Sequence, residues 1–345
     1  MTNTRKVILM VFIAILYFAF DTLLQAGFFY SINPSTNKDV EIISDVYGPE
    51  DMEWDWEKNV VFISSTNRRA FEKGEPDIDD GIYILTPKNN NVFKLSTDFI
   101  GEFHPHGLSL FKQEGKQYLY VVNHSSSGSS VELFHVEDSS LIHLKTYTHE
   151  IMFSPNDVVG NEIGKFYVTN DHGNKSSKGK MVENYLRMPY SYVLYFDGVK
   201  YKKAYQGLVY ANGIQFSNSG DQVFVTHTIG HELIVLKRDK NTGNLREHKK
   251  LNLSAGLDNI DVDLDGNIWV ASHPKLLKFG AHKADSQNYS PSKVIKILTE
   301  KNKYEASVIF ENDGSLLSGS SVAVSNGQTV YVGCVFDKKI LKIKL

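Results

Sequence analysis

A pattern of apolar and polar positions recurs six times along the chain. Each copy begins with a polar residue, continues as a short alternating strand, and passes through a turn into a second strand centred on an aromatic residue. Alternation with a period of two predicts β-strands with one face buried. The central aromatic residues lie roughly 54 residues apart on average, a period typical of repeat architectures. They are Phe62, Tyr120, Tyr167, Phe224, Trp269 and Tyr331.

Further apolar runs predict a third strand in every repeat and a fourth strand in most. In the fifth repeat we assign the third strand to LLKF from Leu276 and the fourth to VIKIL from Val294. Repeated four-stranded sheets are typical of a β-propeller, whereas a sandwich would contain only about seven strands. The sequence therefore predicts an all-β fold, a six-bladed β-propeller with four-stranded blades that occupies residues 37–345 as one catalytic domain.

The sixth repeat contains only three predicted strands. The segment Asp39–Ser44 (DVEIIS) precedes the first repeat and alternates as a strand does. We expect it to pair with the last blade and close the ring, because an unpaired sheet edge invites pairing with other chains.

The N-terminal segment, residues 1–36, differs from the rest. Arg5 and Lys6 precede the uncharged run Val7–Phe20. A membrane span needs about 20 apolar residues, and a shorter run is also typical of a signal peptide. We favour an uncleaved signal-anchor followed by a linker; a cleaved signal and a soluble amphipathic segment are the alternatives. The basic flank predicts a cytoplasmic N-terminus and an exported domain, which would be periplasmic, extracellular or lumenal.

Composition narrows the function further. The chain of 345 residues is 41% hydrophobic and 22% charged, as globular proteins are. The net charge of −3 gives no basic surface for nucleic acid. Cys334 is the single cysteine, so no intramolecular disulfide can form, and we interpret it as a small buried apolar residue.

Polar residues stand at the start of the first strand in every repeat. The first strand of a propeller blade is the innermost, so these residues should converge on the central axis. Oxygen-rich ligand sets without sulfur favour Ca²⁺, which takes 6–8 oxygen ligands. The converging residues are Glu50, Asp51, His106, Asn156, Asp157, Asn212, Asp258, Asn259, Ser320 and Ser321.

The pairs Glu50/Asp51 and Asn156/Asp157 allow two ions, because neighbouring side chains on a strand point in opposite directions. The alternative is that these residues only begin strands by bonding to turn backbone. We favour the cation for the whole ring, since unpaired buried carboxylates are costly.

The histidines point less clearly to a site. His106 occupies an axial position, whereas five others lie at strand ends in different repeats and do not predict a zinc site. These are His104, His124, His172, His227 and His273. A G-x-S-x-G motif, typical of serine hydrolases, does not occur in the sequence.

Several blocks resemble one known family. FHPHGLSLF, YVVNH, PNDVVG, FYVTNDH, YANGIQFS, LDNIDVD and GNIWVASHP are similar to segments of the serum paraoxonase/arylesterase family of calcium-dependent lactonases, in the same order. The resemblance extends from about Gly48 to Leu345. It implies a six-bladed propeller with two axial calcium ions that opens lactones and hydrolyses aryl esters.

The resemblance also implies a role for each matching residue. His106 would act as general base with help from His124, and Asp171 and His273 would belong to the substrate wall. The catalytic calcium would be held by Glu50, Asn156, Asn212, Asp258 and Asn259. The buried structural calcium would be held by Asp51, Asp157 and the backbone carbonyl of Leu108.

Some positions depart from the family pattern. No cysteine pair ties the termini, and Ser272 stands where the family has a free cysteine. The segment Lys180–Pro189, which shapes the substrate site in the family, differs and leaves the substrate open. The expected partners are a small lactone or ester and a membrane. A gluconolactonase-like sugar lactonase and a non-catalytic calcium-stabilised binding propeller remain alternatives, although the HPHG and VVNH blocks disfavour the former.

Overall fold

The computed structural model describes residues 3–35, 39–75, 79–300 and 303–345. Helix α1 (Asn3–Gln25) precedes strand β1 (Val40–Ser44). The expected boundary between residues 36 and 37 lies outside the described residues. The strands that follow form six sheets around a common axis, antiparallel except for one short parallel pair in blade two, which confirms the six-bladed propeller.

The blades follow one another along the chain, and the first strand of each lies nearest the axis, except that in blade two a short additional strand (Ser96–Thr97) comes first and lies at the outer edge. Blade one contains β2 (Pro49–Asp55), β3 (Val60–Ser65), β4 (Gly81–Thr86) and β5 (Asn91–Lys94). Blade two contains β6 (Ser96–Thr97), β7 (Pro105–Gln113), β8 (Lys116–Ser125), β9 (Gly128–Val136) and β10 (Ser140–Tyr147). Blade three contains β11 (Pro155–Glu162), β12 (Lys165–Asn170), β13 (Ser191–Phe196) and β14 (Tyr201–Leu208). Blade four contains β15 (Ala211–Phe216), β16 (Gln222–His227), β17 (Glu232–Arg238) and β18 (Leu245–Asn252). Blade five contains β19 (Gly256–Val262), β20 (Ile268–His273), β21 (Ser292–Glu300) and β22 (Lys303–Asn312). Blade six contains β23 (Ser320–Ser325), β24 (Thr329–Cys334) and β25 (Lys339–Lys344).

Blade six takes its outer strand from the N-terminal side of the chain. β1 pairs antiparallel with β25, so that Val40 lies opposite Ile343 and Ser44 opposite Lys339. The side chain of Ile43 is buried against this blade. One sheet therefore contains strands from both ends of the propeller sequence.

The strand predicted at Leu276 is wrong. This segment is helix α4 (Leu276–Ala284), and the third and fourth strands of blade five are β21 and β22. In α4, Leu276 and Phe279 are three residues apart and both line the cavity described below, as neighbours on one helix face do. A four-residue apolar run cannot distinguish such a helix from a buried strand.

Aromatic residues of the second strands fill the space between blades. Tyr120 from blade two lies 5.2 Å from the ring of Phe166 in blade three, and both are buried. Trp269 is fully buried in blade five. Burial of each such side chain stabilises the fold by about 1.5–3 kcal/mol, so the repeated aromatic position holds neighbouring blades together.

Three helices cover one face of the ring. α2 (Arg68–Glu72), α3 (Ser177–Leu186) and α4 each follow the second strand of a blade. The second strand ends where the first begins, as Ser65 opposite Pro49 shows. The helices therefore cover the face at which the polar residues of the first strands converge.

Helix α1 is exposed over residues 3–20 and only partly covered near its end, at residues 21–23. Its 23 residues include an 18-residue window of mean hydropathy 2.5, none of which is buried in the protein. At 1.5 Å per residue, about 20 residues span the hydrocarbon core of a bilayer. The helix therefore has the length and composition of a signal sequence or membrane anchor.

Candidate metal centre and active-site cavity

The polar residues that begin the first strands meet on the axis. The Nδ2 amide of Asn259 donates to the backbone oxygen of Glu50 at 3.0 Å and to its Oε1 at 2.9 Å. Ser321 donates to the same backbone oxygen at 2.7 Å. These bonds join blades one, five and six at the centre of the ring and fix the position of the Glu50 carboxylate.

Four oxygen atoms at this centre are buried without a hydrogen-bond partner. They are Oε2 of Glu50 and Oδ1 of Asn156, Asn212 and Asn259. An unsatisfied buried polar group costs about 1–3 kcal/mol, and four acceptors in one place add to this cost. A hard cation removes the cost, because carboxylate and amide oxygens are the ligands that Ca²⁺ prefers. The residues present therefore fit a calcium ion.

This centre differs from a zinc or iron site. Within the described ranges, no three side chains of His, Cys, Asp and Glu group together as metal ligands. Zinc sites use nitrogen and sulfur ligands, whereas calcium sites also use amide and backbone oxygens. The composition of the axial set, with Asn156, Asn212 and Asn259 beside Glu50 and Asp258, is of the calcium type.

Two further carboxylates lie deeper in the channel. Asp51 accepts hydrogen bonds from the backbone N–H of Leu108 at 2.8 Å and Met52 at 2.9 Å. Asp157 accepts from Ile214 and Val158, both at 2.7 Å. Burial raises the pKa of both aspartates well above the usual range, and the Asp157 charge raises that of Asp51 further. Burial therefore disfavours the negatively charged form of both groups.

The same argument applies to Glu53 and Asp261. Burial raises the pKa of Glu53 to about 8 and that of Asp261 to about 7. The negative charge of Asp261 also raises the pKa of Glu53, and that of Asp263 also raises the pKa of Asp261. Sequence reasoning missed both residues, although each lies two positions after an axial residue and so on the same strand face.

These shifts predict how calcium changes stability with pH. A carboxyl group whose pKa is raised by folding stabilises the calcium-free protein at low pH. That contribution is lost as pH rises through the folded pKa, here about 8 for Glu53 and about 7 for Asp261. Calcium binding requires deprotonated ligands and so strengthens as pH rises. We expect the difference in melting temperature between calcium-loaded and chelated protein to be larger at pH 8 than at pH 5.5. Equal differences at the two pH values would contradict this.

His106 stands beside the metal centre. Its Nδ1 lies 2.9 Å from the backbone oxygen of Asn156 and 3.3 Å from Oε2 of Glu50. A carbonyl oxygen only accepts, so Nδ1 carries the hydrogen and Nε2 is left as a proton acceptor. Burial, and then the guanidinium of Arg68, lower the pKa of His106 to about 3. The imidazole is therefore neutral at physiological pH.

His124 lies next to His106. The two rings are 5.1 Å apart and nearly perpendicular, and Nδ1 of His124 lies 2.9 Å from the hydroxyl of Ser129. Burial, and then the neighbouring His106, lower its pKa to about 3. His106 and His124 both border a side cavity of about 200 Å³ that Arg68 also lines.

The two expected wall residues have different surroundings. His273 places Nε2 2.8 Å from Oδ2 of Asp258 and stacks on Phe279 at 3.8 Å, while its Nδ1 is buried without a partner. Asp171 does not line the main cavity. Its carboxylate accepts from Ser154 and lies 2.6 Å from Nδ1 of His172. Although burial opposes it, this histidine lowers the pKa of Asp171.

Arg68 is a third residue that the sequence did not indicate. Its Nη2 lies 3.7 Å from Oε2 of Glu50, and its Nη1 donates to the backbone oxygens of Gly48 at 3.2 Å and Val335 at 3.3 Å. Burial lowers its pKa, which the charge of Glu50 partly restores. The guanidinium therefore places a positive charge beside both the Glu50 carboxylate and His106.

A cavity of about 630 Å³ opens above the centre. Its floor contains part of the expected site, whereas Asn259 and His124 do not line it, and neither do Asp51, Leu108 and Asp157. The floor is formed by Glu50, His106, Asn156, Asn212, Asp258 and His273. The walls come from the helices of the same face and include Tyr185, Leu276, Leu277 and Phe279. A polar floor below apolar walls suits a substrate with one polar reacting group and an apolar remainder.

A family model described as Arylesterase matches residues 87–343. The chain belongs to the arylesterase (paraoxonase) family. Members of this family are esterase and lactonase hydrolases and are generally calcium-dependent. The chain is therefore an enzyme of this class, as the resemblance implied.

Individual relatives agree with this assignment. The chain is 34% identical over 278 residues to serum paraoxonase/arylesterase 2 of Rattus norvegicus, covering 77% of each chain. It is 35% identical over 248 residues to serum paraoxonase/arylesterase 1 of Homo sapiens, covering 70% of this chain and 68% of the relative.

Solved structures share the architecture of the chain at lower identity. A luciferin-regenerating enzyme is 13% identical with a TM-score of 0.56, and the match covers 90% of this chain and 96% of that one. A gluconolactonase from Xanthomonas campestris is also 13% identical with a TM-score of 0.56, covering 90% and 91%. At this identity the likeness concerns the propeller fold alone.

Proposed function

We propose that this enzyme opens lactones, including lipophilic ones such as acyl-homoserine lactones, and hydrolyses aryl esters with two calcium ions on the propeller axis. The observation that carries the proposal is the group of four buried acceptor oxygens without partners. They belong to Glu50, Asn156, Asn212 and Asn259, which we assign with Asp258 to a catalytic ion at the cavity floor. Asp51, Asp157 and the Leu108 carbonyl oxygen would hold a buried structural ion.

The chemistry divides between the ion and the protein. When bound, calcium polarises the substrate carbonyl and stabilises the negative charge that develops on its oxygen. His106 accepts a proton from the attacking water through Nε2, since Nδ1 is occupied by Asn156. The water oxygen bonds to the carbonyl carbon and the ring C–O bond breaks. His106 then returns the proton to the leaving alkoxide, giving a hydroxy acid.

The remaining groups position the base. The low pKa of His106 keeps it neutral and makes its protonated form a ready donor to the alkoxide. His124 lies beside it and would orient it or share the proton. Asp258 and His273 form a second carboxylate–imidazole pair on the cavity floor. That pair would take over proton transfer if His106 has no such role.

We also propose the location and the domain division. Helix α1 would remain as a signal-anchor within residues 1–36, with residues 37–345 forming one catalytic domain outside the cytoplasm. The support is the exposed apolar surface of α1 and the basic residues Arg5 and Lys6 before its apolar run.

The proposal is tested by assaying the full-length protein in lipid nanodiscs. The substrates are an acyl-homoserine lactone, a δ-lactone, phenyl acetate and gluconolactone, each with calcium and after exhaustive chelation. We expect turnover of the first three with calcium and none after chelation. Preference for gluconolactone would support a sugar lactonase. Full activity after chelation would contradict the metal assignment, and no turnover with calcium would favour a binding protein.

The two proposed ions predict different effects of ligand loss on stability. Asp157→Ala removes the acceptor of two buried backbone N–H groups as well as a ligand of the structural ion. We expect it to lower the free energy of unfolding by roughly 3 kcal/mol or more. Asn212→Ala, at the cavity floor, should cost only about 1 kcal/mol. Urea unfolding with calcium present measures both values, and the reverse order would contradict the assignment.

A further inference from the structure

The last turn of the N-terminal helix is part of the cavity wall. Thr22, Gln25 and Ala26 border the same cavity of about 630 Å³ whose floor contains Glu50 and His106. The sequence favoured a membrane anchor for this segment, with a cleaved signal or a soluble amphipathic segment as the alternatives. The structure brings its last turn to the entrance of the metal centre.

Neighbouring helices hold this turn in place. The guanidinium of Arg187, at the end of α3, pairs with the carboxylate of Asp21 and lies 5.7 Å from the ring of Phe18. The backbone N–H of Leu276, at the start of α4, donates to the oxygen of Ala26 at 3.0 Å. α1 is thus bonded to two of the helices that form the cavity walls.

The chain after the helix makes equally close contacts. Gly27 has φ +68°, and a Cβ atom there would lie 2.0 Å from the backbone oxygen of Pro274. Only glycine permits both the conformation and the approach. This contact sets the position at which the chain leaves the helix.

A buried ion pair fixes the next residues. Tyr30 donates to Oε1 of Glu311 at 2.8 Å and accepts from Nζ of Lys293 at 2.6 Å, while the N–H of Asn33 donates to Oε2 of Glu311 at 2.9 Å. Lys293 and Glu311 are only 4% and 3% exposed. Uncovering such a pair is costly, so the last turn of α1 is a fixed wall and not a loosely tethered neighbour.

Apolar side chains form part of the cavity wall that this turn shares, beside the polar Arg187 and His231. Leu276, Leu277 and Phe279 of α4 line the same cavity, as does Tyr185 of α3. Oγ1 of Thr22 is buried without a hydrogen-bond partner. Replacing this hydroxyl with an apolar group of the same shape would therefore break no hydrogen bond.

We propose that Thr22 and Gln25, in the last turn of the anchor helix, determine which lactones are accepted by contacting the aliphatic substituent of the ring. The inference rests on the proposed lactonase function and names its substrate class as lactones that carry an alkyl or acyl chain. The reacting ester lies on the polar floor, and the chain extends between α1 and α4. Removing α1 or replacing residues in its last turn would then change which lactones the enzyme hydrolyses.

The test uses full-length protein in nanodiscs and two substrates, γ-butyrolactone without a chain and γ-nonanolactone with one. The measured quantity is the ratio of kcat/KM for the long to the short lactone. Gln25→Trp fills the space between α1 and α4, so the ratio should fall about tenfold, mainly through KM. Thr22→Val replaces the unpartnered hydroxyl with a methyl group, so the ratio should rise a few fold.

Leu24→Trp is the matched control, because Leu24 lies in the same turn but does not border this cavity. It should keep the wild-type ratio. Wild-type ratios in both Thr22→Val and Gln25→Trp would overturn the inference, as would an equal fall in Leu24→Trp. If the wild-type enzyme opens neither lactone, the proposed function itself fails. Because Thr22→Val preserves the side-chain shape, it tests the inference even if Gln25→Trp does not fold.

Discussion

His106→Gln should lower lactone turnover by about 10²-fold or more, the usual scale for loss of a general base. Glutamine keeps a polar side chain that can still donate to the Asn156 oxygen, but it cannot accept a proton near neutral pH. Calcium affinity and melting temperature should change little, because His106 is not among the proposed ligands. The measurement is kcat with calcium saturating, so that weaker metal binding cannot be mistaken for loss of the base.

Two variants serve as controls. His104→Gln should have little effect on turnover. Nδ1 of His104 lies 2.6 Å from Oδ2 of Asp80, and its ring centroid lies 4.2 Å from that of Phe71, so this imidazole is already engaged in other contacts. His124→Gln should reduce turnover less than His106→Gln. Wild-type turnover in His106→Gln would exclude it as the base. His273, with its unpartnered Nδ1, would then be the next residue to replace.

Removal of β1 should destabilise the propeller far more than removal of the helix before it. Deleting residues 1–36 leaves β1 paired with β25 and Lys293 still 3.3 Å from Glu311, so a folded protein with a modestly lower melting temperature is expected. Deleting residues 1–46 removes β1 and exposes the edge of β25. We expect aggregation or a fall of roughly 10 °C or more relative to the shorter deletion.

Calorimetry and size-exclusion chromatography of the two truncated proteins, with calcium saturating, make the comparison. Val46, which is buried in the core of blades one and six, is lost only in the longer deletion and contributes to the difference. Two proteins that melt at the same temperature as monomers would show that β1 does not close the ring.

The repeat made most of the fold predictable. Every blade needs an aromatic residue to fill the space between sheets and polar residues to begin the first strand, so these requirements recur in the sequence. The prediction failed at Leu276, where a helix occupies the connection between two strands of blade five. The connections between strands do not follow the repeat, and a short apolar run in a connection does not show whether it forms a strand or a helix.

The residues of the candidate site that occupy repeated positions could be predicted from the sequence, and the others could not. Glu50, Asn156 and Asn212 occupy equivalent positions in different blades, and alternation along the strand would also have pointed to Glu53. Arg68 lies in a helix that follows the second strand of blade one, where nothing periodic marks it. Thr22 was assigned to a membrane anchor, and only the three-dimensional path of the chain brings it to the cavity.

The pairing of β1 with β25 has a consequence for biosynthesis. β1 leaves the ribosome before every other strand of the ring, and its partner leaves after all of them. The ring therefore cannot close before β25 has emerged, and the distance between the two strands in sequence adds a loop-closure entropy. With α1 held at a bilayer, the nascent blades would accumulate beside the membrane as an open arc. Chaperones acting on that arc would meet an exposed edge of blade six until the final strand arrives.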